Sequence, residues 1–250
     1  MPYRTNILIT GASSGLGEGM ARRFAAAGHS LALCARRTER LTALADELRT
    51  TYSVKVVTRQ LDVRDHADVF SCFAELRDAL GGLDRIVVNA GINKGFSVGT
   101  GHFEANRQTV ETNLVAGLAQ AEAAVEIFRA QGQGHLVLMS SLGAVRGFPG
   151  KLTAYNASKA ALRSLGDGIR YDLHGSPIKV TTLLPGYIDS ELNEGHGIDR
   201  PYVTEAGAGA RALVRAIESE RARAYVPFLP WGPMSLVIRA LPPGRLHKLM

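Results

Sequence analysis

Tyr155 and Lys159 are the two residues whose types and spacing most directly suggest chemistry. They lie one helical turn apart in Ala154–Leu173, a stretch whose apolar periodicity predicts a helix, so both side chains face the same way. A free tyrosine titrates near pH ~10, which is too high for a base at neutral pH. A neighbouring ammonium favours the phenolate and brings this pKa towards neutrality. The pair is therefore suited to giving a proton to a carbonyl oxygen or taking one from an alcohol.

A pair of serines, Ser140-Ser141, ends an apolar run and offers hydroxyl groups to a reacting oxygen. A hydroxyl donor would stabilise the charge that develops on that oxygen. Taken singly, each of these residue types more often has a structural role: a tyrosine packs, a lysine is solvated and a serine caps. The residues alone leave open which serine acts.

The first apolar run leads into a glycine-rich turn, TGASSGLG, and a helical pattern follows. Gly11, Gly15 and Gly17 let the chain turn sharply and let its backbone approach a pyrophosphate. The start of the following helix adds free N–H groups and the positive end of a dipole. The spacing is GxxxGxG rather than GxGxxG, and a purely structural turn is the alternative interpretation.

Two arginines, Arg36 and Arg37, follow the second apolar run, where NAD sites carry an acidic residue for the ribose hydroxyl. A guanidinium suits a 2′-phosphate and offers no acceptor to a free hydroxyl. Ser13 could add a hydroxyl donor. These residues predict NADP(H) as the cofactor, with two solvated arginines as the alternative.

Apolar runs alternate along the chain with Ala- and Leu-rich stretches at helical spacing, which is typical of a parallel sheet covered by helices. We therefore expect one doubly wound α/β domain of the Rossmann type over residues 1–250, with about seven strands. The predicted strands are Asn6–Thr10, Ser30–Ala35, Lys55–Gln60, Arg85–Asn89, His135–Ser140, Lys179–Leu184 and Ala224–Pro227. The predicted helices are Leu16–Ala27, Glu39–Leu48, Ala67–Leu80, Val110–Phe128 and Ala154–Leu173.

Composition supports one packed domain and excludes several classes of protein. Of the 250 residues, 46% are apolar and 21% charged, which is ample for a core and unlike bulk disorder. The formal charge of +6 is spread without basic stripes between aromatics, so we expect no nucleic acid partner. Two cysteines without a CxxC, and a start without a signal-peptide layout, predict no disulfide framework and a cytoplasmic location.

Three further motifs accompany the glycine turn: Asn89-Ala90-Gly91, YNASK at 155–159, and Pro185-Gly186. In this order they resemble the short-chain dehydrogenases/reductases, from about Asn6 to Ser190. The YxxxK pair alone is a weak pattern, whereas four motifs in the family's order are specific. The resemblance implies hydride transfer between a nicotinamide cofactor and a carbonyl or alcohol.

The resemblance also implies a role for each catalytic residue. Tyr155 is the general acid/base, and Lys159 additionally holds the nicotinamide ribose. The family places its catalytic serine about a dozen residues before the tyrosine. Ser141 is closer to that spacing than Ser140 and therefore corresponds to the family's serine. Asn113 corresponds to the helix asparagine that positions a water near the lysine.

The cofactor site that the resemblance implies extends over the ends of several strands. Asp62 accepts from the adenine amino group, with a strand-end cap as the alternative. Ile188 presents its backbone amide to the carboxamide, and Ser190 stands where the family often has threonine. The full predicted set is Gly11, Ser13, Ser14, Gly15, Leu16, Gly17, Arg36, Arg37, Asp62, Val63, Asn89, Ala90, Gly91, Tyr155, Lys159, Pro185, Gly186, Ile188 and Ser190.

The resemblance fades after residue 190, so residues 1–190 are expected to form the cofactor and catalytic core. Residues 186–202 lie where the family has a mobile substrate lid. Ligand types occur there without a metal-site spacing, so we expect a solvated loop and no metal. These residues are Glu191, Glu194, His196 and Asp199.

The C-terminal extension, residues 224–250, is apolar and aromatic with interleaved basic residues. Its prolines disfavour a regular helix that would span a membrane. Three interpretations are open: it packs on a sister subunit, roofs the substrate pocket, or touches a lipid surface through Trp231 and the basic residues. The family commonly forms dimers or tetramers through two long helices, so we expect a homodimer or homotetramer. One such face would carry residues that could also pack inward: Val115, Leu118, Ala119 and Glu122.

The predicted function is an NADP(H)-dependent oxidoreductase that interconverts a ketone or aldehyde and an alcohol. Pocket walls expected at 92–98, 142–149 and 187–202 mix apolar and glycine residues and favour an apolar substrate. Two alternatives stay open: a 3-oxoacyl-thioester reductase of lipid metabolism, and a non-catalytic NADP(H)-binding regulator, against which the intact catalytic set argues. His135 is isolated and is interpreted as an ordinary loop residue.

Overall fold

The strands pair into one parallel sheet. The computed structural model describes residues 4–191 and 202–242, and within them the strands are β1 (Asn6–Thr10), β2 (Ser30–Ala35), β3 (Val56–Gln60), β4 (Arg85–Val88), β5 (Gly134–Met139), β6 (Ile178–Pro185) and β7 (Arg223–Val226). Their order is β3-β2-β1-β4-β5-β6-β7, and every pair is parallel. The strand order reverses between β1 and β4. In such sheets ligands bind at this point, beyond the carboxyl ends of the strands.

Helices cover both faces of the sheet because its strands are apolar on both. Within the described residues they are α1 (Gly15–Ala26), α2 (Thr38–Tyr52), α3 (His66–Leu80), α4 (Phe103–Val110), α5 (Ala116–Gln131), α6 (Thr153–Asp172), α7 (Ala206–Glu218) and α8 (Phe228–Ala240). Alternate residues of β1 enter different cores: Ile7 and Ile9 pack with α1, α2 and α7, whereas Leu8 packs with α3, α5 and α6. The doubly wound Rossmann fold is therefore confirmed.

The predicted strands are confirmed, and no strand end shifts by more than one residue. The predicted helix Val110–Phe128 is wrong as a single regular helix. Its first residue ends α4, a π turn follows at Glu111–Val115, and α5 begins afterwards. A π turn accommodates one residue more than regular helix, and such turns are frequent at functional sites. Asn113 lies in this one.

The face predicted to contact a second subunit, which lies on the π turn and α5, does not pack inward. Val115, Leu118 and Glu122 are exposed, and Ala119 is half-buried. An apolar, exposed face of this kind suits contact with a second copy of the chain, and the homo-oligomer stays a prediction.

His135 is a buried strand residue, so its interpretation as a loop residue is wrong. It lies in β5 between Arg85 of β4 and Thr181 of β6. Its Nδ1 accepts from Arg85 Nε at 2.9 Å, which leaves the proton on Nε2, 2.8 Å from Thr181 Oγ1. Burial and the neighbouring Arg85 lower the pKa of the imidazole well below its ordinary value. Arg85 also pairs with Glu218 at 2.5 Å, so a charged cluster closes the amino end of the sheet.

The C-terminal extension folds back onto the body of the protein as β7 and α8. Trp231 is only 3% exposed and packs with Leu142 and Ile238. Its indole lies so close to Gly186 that a Cβ there would be 2.2 Å from Nε1. Arg146 donates to the carbonyl oxygen of Ile238 at 3.1 Å, near the end of α8 where carbonyls lack helical partners.

Trp231 is buried, so its predicted role in a lipid contact is wrong, whereas a lipid contact through the basic residues of the extension stays a prediction. The large apolar side chains exposed on α8 are Phe228, Leu229, Leu236 and Val237. Packing on a sister subunit and support of the substrate pocket both stay predictions. No helix within the described ranges combines the length and apolar character that crossing a bilayer requires. Residues 243–250 lie outside those ranges.

Replacing Trp231 with alanine is expected to lower the free energy of unfolding by about 3–5 kcal/mol, the usual cost of emptying a large buried aromatic site. Thermal and chemical denaturation measure this loss. Leu236→Ala is the matched control on the same helix, because Leu236 is 65% exposed. It should change stability by less than about 0.5 kcal/mol. Equal losses in both variants would mean that Trp231 does not anchor the extension.

Candidate active site

The glycine-rich turn between β1 and α1 leaves room for a ligand backbone. Gly11 and Gly15 have φ values of +64° and +55°, a region that side chains disfavour. At Gly17 the constraint is space, because a Cβ would lie 2.4 Å from the carbonyl oxygen of Gly11. The side chain of Ser14 does not cap α1. The first turn of the helix therefore offers its N–H groups and its positive dipole end to a ligand.

Thr10 and Asn89 hold this turn against the end of β4. Thr10 Oγ1 accepts from the backbone N–H groups of Asn89 and Ala90, both at 3.0 Å. Asn89 Nδ2 donates to the carbonyl oxygen of Thr10 at 2.8 Å. Asn89 thus lies at the site as predicted, while its side chain bonds the protein itself. The sequence interpretation missed Thr10, whose signal is a hydroxyl at the last position of a buried strand.

A cationic cluster lies at the carboxyl end of β2. Arg37 Nε donates to Ser13 Oγ at 3.2 Å, and another nitrogen of the same guanidinium donates to Ser14 Oγ. Arg37 also pairs with Glu191 at 2.9 Å, and the exposed Arg36 lines the same cavity. The structure therefore brings together the residues predicted to recognise a phosphate. Glu191 was missed as their partner because nothing in the sequence relates positions so far apart.

Asp62 follows β3 and lines the cavity beside Val63. Its Oδ1 accepts from both Nε and the backbone N–H of Arg64 at 3.1 Å. The Arg64 guanidinium holds the pKa of the Asp62 carboxyl below its ordinary value. Asp62 therefore acts as a turn cap here while it borders the cavity. Arg64 is a cavity residue that the sequence interpretation missed.

Lys159 is buried at the floor of the cavity. Its Nζ donates to the carbonyl oxygen of Met139 at 2.8 Å and lies 5.8 Å from the centre of the Tyr155 ring. Burial lowers the pKa of the Lys159 ammonium to about 8, so its charge is lost as the pH rises through that value. Gly91 allows this approach, because a Cβ there would lie 3.3 Å from Nζ. The arrangement places a cation beside the phenol.

The two serines after β5 have different partners. Ser140 is buried, and its Oγ donates to the carbonyl oxygen of Lys159 at 2.8 Å. Ser141 lines the cavity, and its Oγ accepts from the backbone N–H of Gly143 at 3.1 Å. A hydroxyl that accepts in this way still has its own proton to donate. Ser141 is therefore the better placed of the two to bond a substrate oxygen.

Asn113 lies behind the cavity wall. Its Oδ1 accepts from the backbone N–H of Ile92 at 2.9 Å, and its Nδ2 donates to the Ile92 carbonyl oxygen at 2.9 Å. Nδ2 also lies 3.1 Å from Ser158 Oγ. These bonds fix the loop that carries Gly91. The positioning of a water by Asn113 stays a prediction.

The chain that leaves β6 lines the cavity. Gly186 N–H donates to the carbonyl oxygen of Val226 at 2.9 Å, which ties this exit to β7. Ile188 is buried, and Ser190 Cβ lies 3.4 Å from the position that a Cβ on Gly15 would take. Residues 192–201 of the predicted lid, which include Glu194, His196 and Asp199, lie outside the described residues.

Most of these groups border one cavity of about 570 Å³. Every predicted site residue except Gly17 and Asn113 lines it, and both of these support its wall. The lining also has mixed polarity, because Leu142, Phe148 and Leu152 are apolar whereas Lys94 is cationic. Within the described ranges no group of three or more His, Cys, Asp or Glu side chains is arranged to hold a metal ion.

A parallel doubly wound sheet with a glycine turn at its switch point defines a nucleotide-binding protein of the Rossmann type. Residues 5–200 match the family described as short chain dehydrogenase. The chain therefore belongs to the short-chain dehydrogenase/reductase family and is an oxidoreductase.

Similar proteins support this assignment at the level of the family. An uncharacterized oxidoreductase of Mycobacterium tuberculosis strain H37Rv is 53% identical over 96% of this chain and 95% of its own length. A short-chain dehydrogenase from Sphingobium yanoikuyae, in complex with NADPH, has a TM-score of 0.82 at 29% identity, covering 98% of this chain and 94% of its own. A short chain dehydrogenase/reductase from Burkholderia phymatum, in complex with NAD, has a TM-score of 0.84 at 21% identity, covering 98% and 95%. The last shows likeness of fold alone.

Proposed function

We propose that this protein is an NADP(H)-dependent oxidoreductase that interconverts a ketone or aldehyde and an alcohol. One observation carries the proposal: the buried Lys159 ammonium lies beside the Tyr155 ring in the same cavity as the glycine turn. A cation beside the phenol favours its ionised form, so Tyr155 exchanges protons more readily near neutral pH. A regulator that only binds the cofactor has no need of such a pair.

When bound, the nicotinamide cofactor supplies or accepts the hydride. Tyr155 gives a proton to the carbonyl oxygen in reduction and takes it back from the alcohol in oxidation. Ser141 donates a hydrogen bond to the same oxygen and stabilises its developing charge. Asn113 acts through the loop after β4, which it holds in place with its two bonds to Ile92.

The residues of the chain fit a phosphorylated dinucleotide. A side chain at Gly17 would fill the phosphate turn, and Arg37 with Ser13 and Ser14 offers donors to a 2′-phosphate. Asp62 and Val63 would border the adenine, and Pro185, Gly186, Ile188 and Ser190 the nicotinamide end. NADP(H) is therefore the proposed cofactor.

The substrate is proposed to be apolar over much of its length, because Leu142, Phe148 and Leu152 form one wall of the cavity. Lys94, which also lines the cavity, favours an anionic or strongly polar end in the same molecule. This polarity keeps the 3-oxoacyl-thioester reductase as a second candidate. We further propose a cytoplasmic location, since both cysteines are buried and form no disulfide. The exposed apolar side chains of Val115 and Leu118 support the proposed homo-oligomer.

Titration with NADPH and NADH tests the cofactor proposal. Cofactor fluorescence should show tight NADPH binding and weak NADH binding by the wild type. Arg37→Ala should weaken NADPH binding about 10- to 30-fold, because charge-assisted hydrogen bonds to the phosphate are lost. Its NADH affinity should stay the same.

Arg221→Ala is the control for the change in net charge, because Arg221 is exposed and outside the cavity lining. It should leave both affinities unchanged. Equal NADPH and NADH affinities in the wild type would contradict the NADP(H) proposal. Absence of binding by either dinucleotide would reduce the glycine turn to a structural feature and remove the enzymatic proposal with it.

A further inference from the structure

A carboxylate of the chain itself occupies the cationic cluster at the end of β2. Glu191 Oε2 accepts from Arg37 at 2.9 Å, and Oε1 accepts from Arg40 at 2.5 Å, so one carboxylate bridges two guanidinium groups. Arg37, followed by Arg40, keeps the pKa of the Glu191 carboxyl below its ordinary value. Glu191 is therefore an anion throughout the neutral range.

The groups around this carboxylate are those that would recognise a phosphate monoester. Arg37 donates to Ser13 and Ser14, the two hydroxyl residues of the glycine turn, as well as to Glu191. All four line the cavity. An arginine fork with neighbouring hydroxyl groups matches the geometry of phosphate oxygens and accepts a carboxylate in the same way. Two anions cannot use the same guanidinium donors at once.

We propose that Glu191 is an internal competitor for the 2′-phosphate that distinguishes NADP(H) from NAD(H). This inference rests on the proposed NADP(H) dependence. The phosphate displaces the carboxylate from Arg37, and the affinity for NADP(H) is lower than the cationic cluster alone would give. NAD(H) carries a hydroxyl at this position, does not compete for the guanidinium, and is unaffected by Glu191.

Exposure of the ion pairs makes the exchange feasible. The side chains of Arg37, Arg40 and Glu191 are 44%, 53% and 42% exposed, so water screens both pairs. Screened pairs of this kind are weak and are broken readily. A phosphate monoester carries up to two charges and three acceptor oxygens, and it outcompetes a single carboxylate.

The position of Glu191 links the two ends of the cofactor site. It follows Ser190 directly, and Ser190 packs beside Gly15 of the glycine turn. The chain leaving β6 therefore carries residues for the nicotinamide end and, one residue later, the competitor at the phosphate end. A substitution that removes only the charge of Glu191 therefore tests its competition with a phosphate while Ser190 and Arg37 stay in the chain.

The test is Glu191→Gln, measured by calorimetric titration in buffer free of phosphate and sulfate. The probes are NADPH, NADH, adenosine 2′,5′-bisphosphate and 5′-AMP. We expect about three- to tenfold tighter binding of the two 2′-phosphorylated probes, consistent with the loss of a weak, screened ion pair. NADH and 5′-AMP should change by less than about twofold, because they lack the competing phosphate.

Glu39→Gln is the matched control, because Glu39 is exposed in the first turn of α2 and the substitution removes the same charge. Unchanged or weaker binding of the 2′-phosphorylated probes by Glu191→Gln overturns the competitor role, as does an equal gain in Glu39→Gln. The NADP(H) proposal itself is judged on the wild type, from its preference for NADPH over NADH. If the wild type shows no preference for NADPH over NADH, the NADP(H) proposal falls and the competitor role falls with it.

Discussion

Replacing Tyr155 with phenylalanine is expected to lower kcat about 10³-fold and to change the Kd for NADPH less than about threefold. The substitution removes only the hydroxyl that would exchange the proton. The ring beside Lys159 and the bond from Lys159 Nζ to Met139 remain in place. Carbonyl reduction followed by NADPH absorbance measures kcat, and cofactor fluorescence measures Kd.

Tyr171→Phe is the control on the same helix, since Tyr171 is 77% exposed and should tolerate the change without effect. A Tyr155→Phe variant that keeps more than about a tenth of the wild-type kcat would remove the tyrosine from the proton-transfer role. A protein that retains a regulatory output but shows no turnover in either form would instead support the cofactor-binding regulator.

Gly17→Ala is expected to weaken the binding of NADPH and NADH alike by about 100-fold, which corresponds to overpacking of up to ~3 kcal/mol. The added Cβ would lie 2.4 Å from the Gly11 carbonyl oxygen and 2.7 Å from Asn89 Nδ2. The turn must open to relieve this contact, and the backbone then leaves the conformation suited to a pyrophosphate. Both dinucleotides are affected because both carry a pyrophosphate. Parallel titrations measure the loss, and thermal denaturation reports any loss of stability.

Gly168→Ala is the comparison for this variant. Gly168 lies in α6, and a Cβ there meets no atom within 4 Å. Alanine should stabilise that helix by up to about 1 kcal/mol and leave cofactor binding unchanged. If Gly17→Ala also binds both dinucleotides normally, the tight turn is not a phosphate-binding element.

Local sequence patterns were enough to predict the sheet, most of the helices and the residues that line the cavity. Apolar runs such as Leu31–Ala35 are buried on both faces. Burial on both faces is typical of parallel strands that lie between two layers of helices. The glycine turn, Ser141, Tyr155 and Lys159 converge because the carboxyl ends of parallel strands share one edge.

Features that depend on long-range pairing could not be predicted in this way. Glu191 meets Arg37 across 154 positions, and no local pattern relates them. The burial of His135 follows from Arg85 and Thr181 on neighbouring strands, which turn an apparently isolated imidazole into part of a buried network. Trp231 stands among aromatic and basic residues, a composition that also occurs in segments that contact membranes. Only the fold shows that its side chain packs against Leu142 and Gly186.

The π turn at Glu111–Val115 has a consequence for how this sequence can diverge. Each residue of a regular helix advances the chain by about 100°, so deleting one residue here would rotate all of α5 by that angle relative to α4. Asn113 would lose its register with Ile92, or the outward side chains Leu118 and Glu122 would turn towards the core. The π turn therefore sets two things at once: the contact of Asn113 with the loop that carries Gly91, and the outward direction of the surface side chains of α5. Single-residue insertions and deletions within it should therefore be rare among functional variants, whereas conservative substitutions should be tolerated on the outward face.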